Sequence, residues 1–451
     1  MTYLTDFSSR EFEKLDLYEK FKRIIDEYAS GVNSFLLAVS GGIDSITMLD
    51  LFYRLKKERQ NLRIGVATFN HKLRPEADEE VEFVRAESER MGFTFYTDSA
   101  DVRSYSRQNK MSIEEAARNL RYRFLEQVMK EHHYELTATA HNANDLLETM
   151  IMRFTKGTGP FGLAGLKIIS NNYFRPMLFF TRQEIELYAK NRNLDYVVDM
   201  SNYDEHYQRN YIRHSIVPLL KKINHKLENA AISLALSIWE MDEYVERVIE
   251  KTEKYILDNR LIFKLHSDPF LQIEQLRRFS LRFFGKPLDR EKIERFSKNV
   301  IKSKSFKVSF WGELGAEVSH GWVMLGNIKR FEPFKFVIEL SDDDEDYTRK
   351  LMRGIEVNGY FINLVVRGII KSDIPKISLI VRNWNEGDRT FEGRKLKEIF
   401  NEKKVPTFVR RLIPIAVLNE RVVYVPEYYK SKILDEMGLE IVSKGGINFE
   451  S

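Results

Sequence analysis

The run FLLAVSGGIDS at residues 35–45 constrains this chain more than any other segment, because it sets a hydroxyl-rich glycine turn directly between an apolar strand and a helix. Phe35, Leu36, Leu37 and Val39 read as a short buried strand, and Ile46, Met48, Leu49, Phe52 and Leu55 continue past the turn with helical spacing. A strand feeding such a turn makes an anion site. Gly41 and Gly42 let the backbone approach a phosphate, while the first helical N–H groups and the positive end of the helix dipole point at it. Ser40 and Ser45 add hydroxyl donors around Ile43. No lysine follows the glycines, so the turn is not a Walker loop. Asp44 stands there instead, and a carboxylate beside a polyphosphate is tolerable mainly with a divalent cation between them. The plain structural alternative is an ordinary strand-to-helix turn capped by Ser40.

The first half of the chain continues the alternation. Strands are predicted at 64–69, 93–97 and 135–139, separated by amphipathic helical stretches. The clearest of these is 112–131, where Ile113, Ala117, Leu120, Phe124 and Val128 form one stripe behind a Ser112 cap. This pattern favours an α/β, doubly wound parallel sheet. Its ligand crevice would lie at the C-terminal strand ends, where SGGIDS, Asn70, His71 and His141 fall.

Two polar constellations join the turn in that crevice. In HNANDLLETMIMRF, a helix from Asn142 onward would set His141, Asp145 and Glu148 on one face, within about 60° of arc. Water alone can account for a polar helix face. In EEAARNLRYRFLE, Arg118 and Arg121 lie one turn apart, suited to phosphate contacts or to charge that develops in a transition state. Glu114, four residues before Arg118, offers an exposed ion pair as the alternative.

At 451 residues the chain is too long for one core. Residues 1–217 read as the nucleotide-binding catalytic domain. From Pro218, the positions Ile223, Leu227, Ala230, Leu234, Ile238, Met241, Val245 and Val248 predict a long helix and a mainly helical domain over 218–340. The acidic run SDDDEDY places a linker and domain edge at 341–376, and short apolar runs predict a small, mixed α/β C-terminal domain at 377–451. The net charge of +4 is too modest to announce nucleic-acid binding, but between Asp388 and Arg411 eight basic residues face four acids. Arg389, Arg394, Lys395, Lys403, Lys404, Arg410 and Arg411 are therefore expected to contact nucleic-acid phosphates, with a solvated basic face as the alternative. The chain has no cysteine, which excludes disulfides, Cys-ligated zinc, iron–sulfur clusters and persulfide chemistry. With no leader-like N-terminus and no stretch long enough for a bilayer, a cytoplasmic protein without a membrane partner is expected. The oligomeric state stays open, a homodimer included.

The turn SGGIDS resembles the signature of the PP-loop ATP pyrophosphatases, which cleave ATP between the α and β phosphates and activate a carbonyl oxygen as its adenylate. Over 35–220 and 380–426 the likeness narrows. SGGIDS, NHKLRPEADEE, EEAARNLRYRFL, the His141 segment, DMSN, RNYIR and VRNWNEGDRTFEGRKLKEIFNEKKVPTFVRRLIPIAVL together resemble the bacterial tRNA(Ile)-lysidine synthetases. That resemblance implies ATP-dependent ligation of L-lysine to the wobble cytidine of a CAU-bearing isoleucine tRNA, with ATP as co-substrate and Mg²⁺. It also implies roles: Ser40 to Ser45 for the phosphates, Asp44 near Mg²⁺ or the substrate amine, Asp145 and Glu148 for lysine, Arg121 and Arg213 near the activated base. Arg118, His141, Asn70 and His71 would support them, and the resemblance implies tRNA recognition for the helical domain at 218–340 and tRNA binding for the basic set between Arg389 and Arg411. The family commonly has two consecutive acids where this chain reads Asn144–Asp145, which puts the burden on Asp145. Two other readings compete: a PP-loop ligase for a small molecule, and a silent tRNA-binding module that keeps ATP as a structural ligand.

Overall fold

The computed structural model describes residues 10–73, 76–197, 208–257, 259–329, 331–340, 355–366 and 377–445. The chain divides into two compact units, Met1–Glu243 and Tyr244–Ser451. The expected break after residue 217 is therefore displaced. The helix Leu227–Glu250, where the apolar spacing predicts one, runs through the division.

The first unit is built on strands β1 (Ser34–Ala38), β2 (Arg63–Asn70), β3 (Thr94–Ser99), β4 (Leu136–Thr139), β5 (Ile169–Ser170) and β6 (Tyr173–Phe174). They form one sheet in the order β3-β2-β1-β4-β6-β5, parallel throughout except for the β5–β6 pair. The alternation of β1 explains why it is central. Phe35 and Leu37 point into one core with Phe52 and Phe174, while Leu36 faces the opposite layer with Ala67, Phe124 and Leu125. Phe35 lies 5.1 Å from Phe52 and 6.0 Å from Phe174, centroid to centroid. Burying each such ring contributes about 1.5–3 kcal/mol. The helix Ile113–Glu131 starts where expected, with the Ser112 hydroxyl accepting from the Glu115 N–H at 3.1 Å. β2 and β3 lie on one side of β1 and β4 on the other, so the connection reverses between β1 and β4. Their C-terminal ends open the crevice there.

In the second unit the helices Pro269–Phe284 and Arg290–Lys302 meet the helical expectation for 218–340, and a five-stranded sheet is added to them. Its strands are β7 (Lys254–Leu257), β8 (Arg260–Lys264), β9 (Ser305–Trp311), β10 (Leu314–Ser319) and β11 (Trp322–Asn327), ordered β7-β8-β11-β10-β9. The separation into middle domain, linker and C-terminal domain needs correction. Ile262, Trp322 and Met324 share one buried cluster with Phe400, Phe408 and Ile413, so these segments pack around a common core. Within the expected linker, the strands Ile355–Val357 and Tyr360–Val366 form a sheet with Leu439–Gly445. The acidic run itself and the DMSN segment lie outside the described residues. The predicted distal strands appear at Ile377–Asn383, Pro414–Leu418 and Arg421–Val425.

Candidate active site

The glycine turn ends β1 and starts the helix Ile43–Glu58. Gly41 has φ +86°, in the left-handed region where a side chain is strained, and this position requires glycine. Gly42, at ordinary φ −70°, is the N-cap and supplies no side chain to the first helical N–H groups. Those donors are therefore left for a ligand. Ser45 fixes the turn by donating to the Gly42 carbonyl at 2.8 Å and accepting from the Ser40 N–H at 3.2 Å. Ser40 is not the cap, so the plain capped turn does not describe this segment.

Asp44, in the first helical turn, accepts from Asn142 Nδ2 at 3.1 Å and from Arg182 at 2.7 Å. Burial pushes its carboxyl up to about 6; Arg182 opposes the shift and Asp145 adds to it. Asn142 ties the turn to the next strand end. It caps the helix Ala143–Lys156 in a reciprocal box with Asp145. Because that helix begins only after Asn142, His141 is not on the shared face that continuous helical spacing predicts. It bonds Thr139 Oγ1 at 2.8 Å instead, and burial together with Arg175, Arg121, Arg209 and Arg118 holds its imidazole well below its ordinary range. His141 is a neutral group in a positive field.

Asp145 and Glu148 do share a face, and both are occupied. Arg209 reaches Asp145 at 2.7 Å and Glu148 at 2.8 Å, and Arg213 grips Glu148 at 2.6 and 3.1 Å and comes within 3.5 Å of Asp145. Glu148 is 1% exposed, so a carboxylate there needs this pairing. Burial works against charge on both arginines, yet the two carboxylates hold them above their ordinary value. Arg213 lies in a π-helical turn, Ile212–Ile216, a backbone form that often accompanies functional sites. Asn144 turns away from the crevice acids: its Nδ2 donates to Glu228 at 2.8 Å and its Oδ1 accepts from the Arg182 N–H at 3.0 Å. The amide thus ties two segments together, where an acid would face the buried Glu228.

Near His141 and His71 stand Arg118, Arg121 and Arg175. Arg118 and Arg121 lie 4.8 and 5.5 Å from the Tyr122 ring. Among the described residues the alternative Glu114–Arg118 pair gives way to that ring contact. Burial pulls the Arg121 guanidinium down; Tyr122 works against the shift and Arg118 adds to it. Arg175, buried, donates to the Lys167 carbonyl at 2.8 Å and to Ser170 at 3.0 Å. His71 stacks edge-on against Phe69, and burial with Arg121 lowers its pKa to about 4. Asn70 bonds Asp78 at 2.6 Å and the Lys72 N–H at 2.9 Å, which makes it a brace for the loop after β2. A cavity of about 260 Å³ adjoins Arg182 and Asn144, but its charged lining pairs internally, Lys20 with Glu184 and Lys221 with Glu228.

Arg182 and Arg209 escaped the sequence reading. A signal existed for Arg209, which stands four residues before Arg213 in RNYIR; Arg182 follows a Thr181 cap and carries none.

The distal basic set does not act as one patch. Arg410 is buried, 4% exposed, donating to the Val405 carbonyl and Asn401 Oδ1, each at 2.9 Å, beside the Phe400 ring. It braces the core and must be withdrawn as a phosphate contact. Arg411 is half-buried over Phe331, Arg394 is paired with Glu402, and Arg389 donates to the Gly393 carbonyl. Lys395, Lys403 and Lys404 are exposed.

Among the described residues no helix is long and apolar enough to cross a membrane. A PP-loop domain signature matches residues 14–220, and a TilS substrate C-terminal domain signature matches 380–438. The chain is 39% identical to the tRNA(Ile)-lysidine synthase of Thermosipho africanus over 96% of its own length and 100% of that protein. It is 35% identical to those of Thermotoga sp. strain RQ2 and Thermotoga maritima, over 92% of this chain and 98% of each. With a PP-loop crevice at one end, a matching C-terminal signature at the other and relatives aligned along nearly the whole length between, the chain belongs to the tRNA(Ile)-lysidine synthase family.

Proposed function

We propose that this chain ligates L-lysine to C2 of the wobble cytidine in the CAU anticodon of an isoleucine tRNA, forming a carbon–nitrogen bond at the expense of ATP. The observation that carries the reading is the meeting of Asp145 and Glu148 with the SGGIDS turn at the β1 and β4 ends. In the first step the C2 carbonyl oxygen attacks the α-phosphorus and pyrophosphate leaves. In the second the lysine ε-nitrogen attacks C2, AMP leaves with the former carbonyl oxygen, and the nitrogen loses a proton.

The turn's free N–H groups and the Ser40 and Ser45 hydroxyls suit the phosphates. Arg121, cationic and held beside Tyr122, suits the negative charge that develops as pyrophosphate and then AMP depart. Asp145 and Glu148 are the crevice acids fitted to an ammonium and to its proton. Asp44 would hold Mg²⁺ against the phosphates, where the ion neutralises charge. Among the described residues no group of three or more His, Asp or Glu is placed to hold a metal by itself.

The small-molecule ligase is less well supported, since it leaves the distal signature at 380–438 without a purpose. The test is incubation of the protein with ATP, radiolabelled lysine and a transcribed isoleucine tRNA, followed by digestion of the RNA. Label in lysidine supports the reading; AMP release that does not depend on RNA sinks it.

A further inference from the structure

Three carboxylates and three guanidiniums fill one side of the crevice, and each acid already has a protein cation. Asp44 holds Arg182, Asp145 holds Arg209, and Glu148 holds both Arg213 and Arg209. A lysine ammonium arriving in this state meets a balanced set, and pairing with Asp145 or Glu148 requires an arginine to leave. Removing both would strand a nearly inaccessible carboxylate at Glu148, which is costly.

The two candidates to leave are not equivalent. Arg213 closes a fork on the two oxygens of Glu148, at 2.6 and 3.1 Å, the stronger geometry. Arg209 divides itself, with one nitrogen on Glu148 and the other on Asp145. It also stands close enough to His141 to depress that imidazole, so it borders the cationic half of the crevice. A polyphosphate entering there supplies what Arg209 takes from Asp145.

Resting on the proposed function, we propose that Arg209 is the resting counter-ion of the lysine site, and that bound ATP draws it away and thereby opens Asp145 and Glu148 to the substrate ammonium. Arg213 stays on Glu148 as the anchor. Arg209 is a positioning residue: it makes no bond to the reacting atoms but links the order of ligands. Lysine binding then depends on nucleotide, and by linkage lysine tightens nucleotide binding by the same factor.

The test is calorimetric titration of the full chain with L-lysine, without RNA, in the presence and absence of α,β-methylene-ATP with magnesium, which cannot be cleaved at the reacting bond. The wild type should bind lysine about fivefold more tightly or better with the analogue, at the low end of ordinary linkage. Arg209→Gln should bind lysine without the analogue about as tightly as with it, and Arg209→Lys should restore the dependence. Equal wild-type affinity in the two conditions, or no binding with the analogue, overturns the proposal. So does an Arg209→Gln protein of unchanged melting temperature that is weakened equally in both. If Arg209→Gln does not fold, the wild-type pair of titrations decides alone. The lysidine assay is run beside it: product formed without nucleotide-dependent lysine binding rejects the exchange and leaves the reaction standing, whereas no product from the complete mixture rejects the reaction.

Discussion

The crevice of the first unit and the segment 388–411 of the second were both marked by polar residues in the sequence, and they have opposite outcomes. In the crevice, SGGIDS, Arg121, His141, Asp145, Glu148 and Arg213 converge. In the distal segment a local excess of basic residues divides into a buried brace, a ring contact, internal pairs and three exposed lysines. The difference is one of constraint. A residue that follows a parallel strand is delivered to the switch-point crevice by the topology itself. A residue counted only by its charge can end on either side of the surface.

The comparison breaks most readily at Arg121. A guanidinium in the crevice with no salt-bridged carboxylate among the described residues should matter for chemistry, so Arg121→Ala should lower kcat by about 100-fold or more while the protein melts at an unchanged temperature. Steady-state kinetics against lysine, ATP and tRNA would read this. A loss confined to the KM for one substrate would place Arg121 in binding instead. Glu148→Gln should behave differently, because it leaves two guanidiniums around a neutral amide: the lysine requirement should rise more than the ATP requirement, and stability should fall as well.

Arg410 tests the distal side. Arg410→Ala unpairs the buried Val405 carbonyl, frees the exposed Asn401 Oδ1 to water and should cost about 1–3 kcal/mol in denaturant unfolding. The salt dependence of tRNA affinity should not move. The double substitution Lys403→Gln with Lys404→Gln should do the reverse, leaving stability alone and flattening that salt dependence by roughly one unit of slope for each phosphate that is no longer neutralised. A flattened slope in Arg410→Ala would return it to the interface.

How much could be read in advance follows the same division. The parallel alternation and the strand ends were legible because burial on both faces of β1 forces an unbroken apolar run. The added sheet at 254–327 was hidden by the strong helical repeat beside it, since strands of four to seven residues leave a short signal. Asn144 could be seen as a departure, but that its amide reaches Glu228, 84 residues away, is a tertiary fact. Arg209 was hidden by its own ambiguity, for an arginine four residues from another reads equally well as a solvated pair.

The turn offers a sharper contrast between two adjacent residues. Gly41→Ala must hold a side chain at φ +86° and should lose about 1 kcal/mol, whereas at Gly42 an added Cβ meets only the Ser40 hydroxyl, at 3.9 Å. Gly42→Ala should therefore keep the fold, at a cost of about 0.5–1 kcal/mol for alanine at an N-cap. If its AMP release nevertheless falls, the space beside Gly42 serves the phosphate and not the protein. Chemical unfolding of both variants, with AMP release measured alongside, separates the two.

The remaining expected effect is in pH. Burial, helped by Arg121, lowers His71 to about 4 from an ordinary 6.5, so the folded state favours the neutral ring. The unfolded chain binds the proton more readily between those values. His71 therefore contributes stability that is fully present above pH 6.5 and is lost as pH falls through that window toward 4. The ring is only partly enclosed, so the contribution should be about 1 kcal/mol, less than the full shift implies. His71→Gln, which cannot titrate, should make the unfolding free energy flatter between pH 7 and pH 4 than in the wild type, with the difference vanishing above 7. His141 titrates in the same direction and remains in both proteins, so a residual slope is expected. If the two profiles run parallel, His71 gains its proton in the folded state as easily as in the unfolded one, and the positive field ascribed to Arg121 does not extend across the crevice to the end of β2.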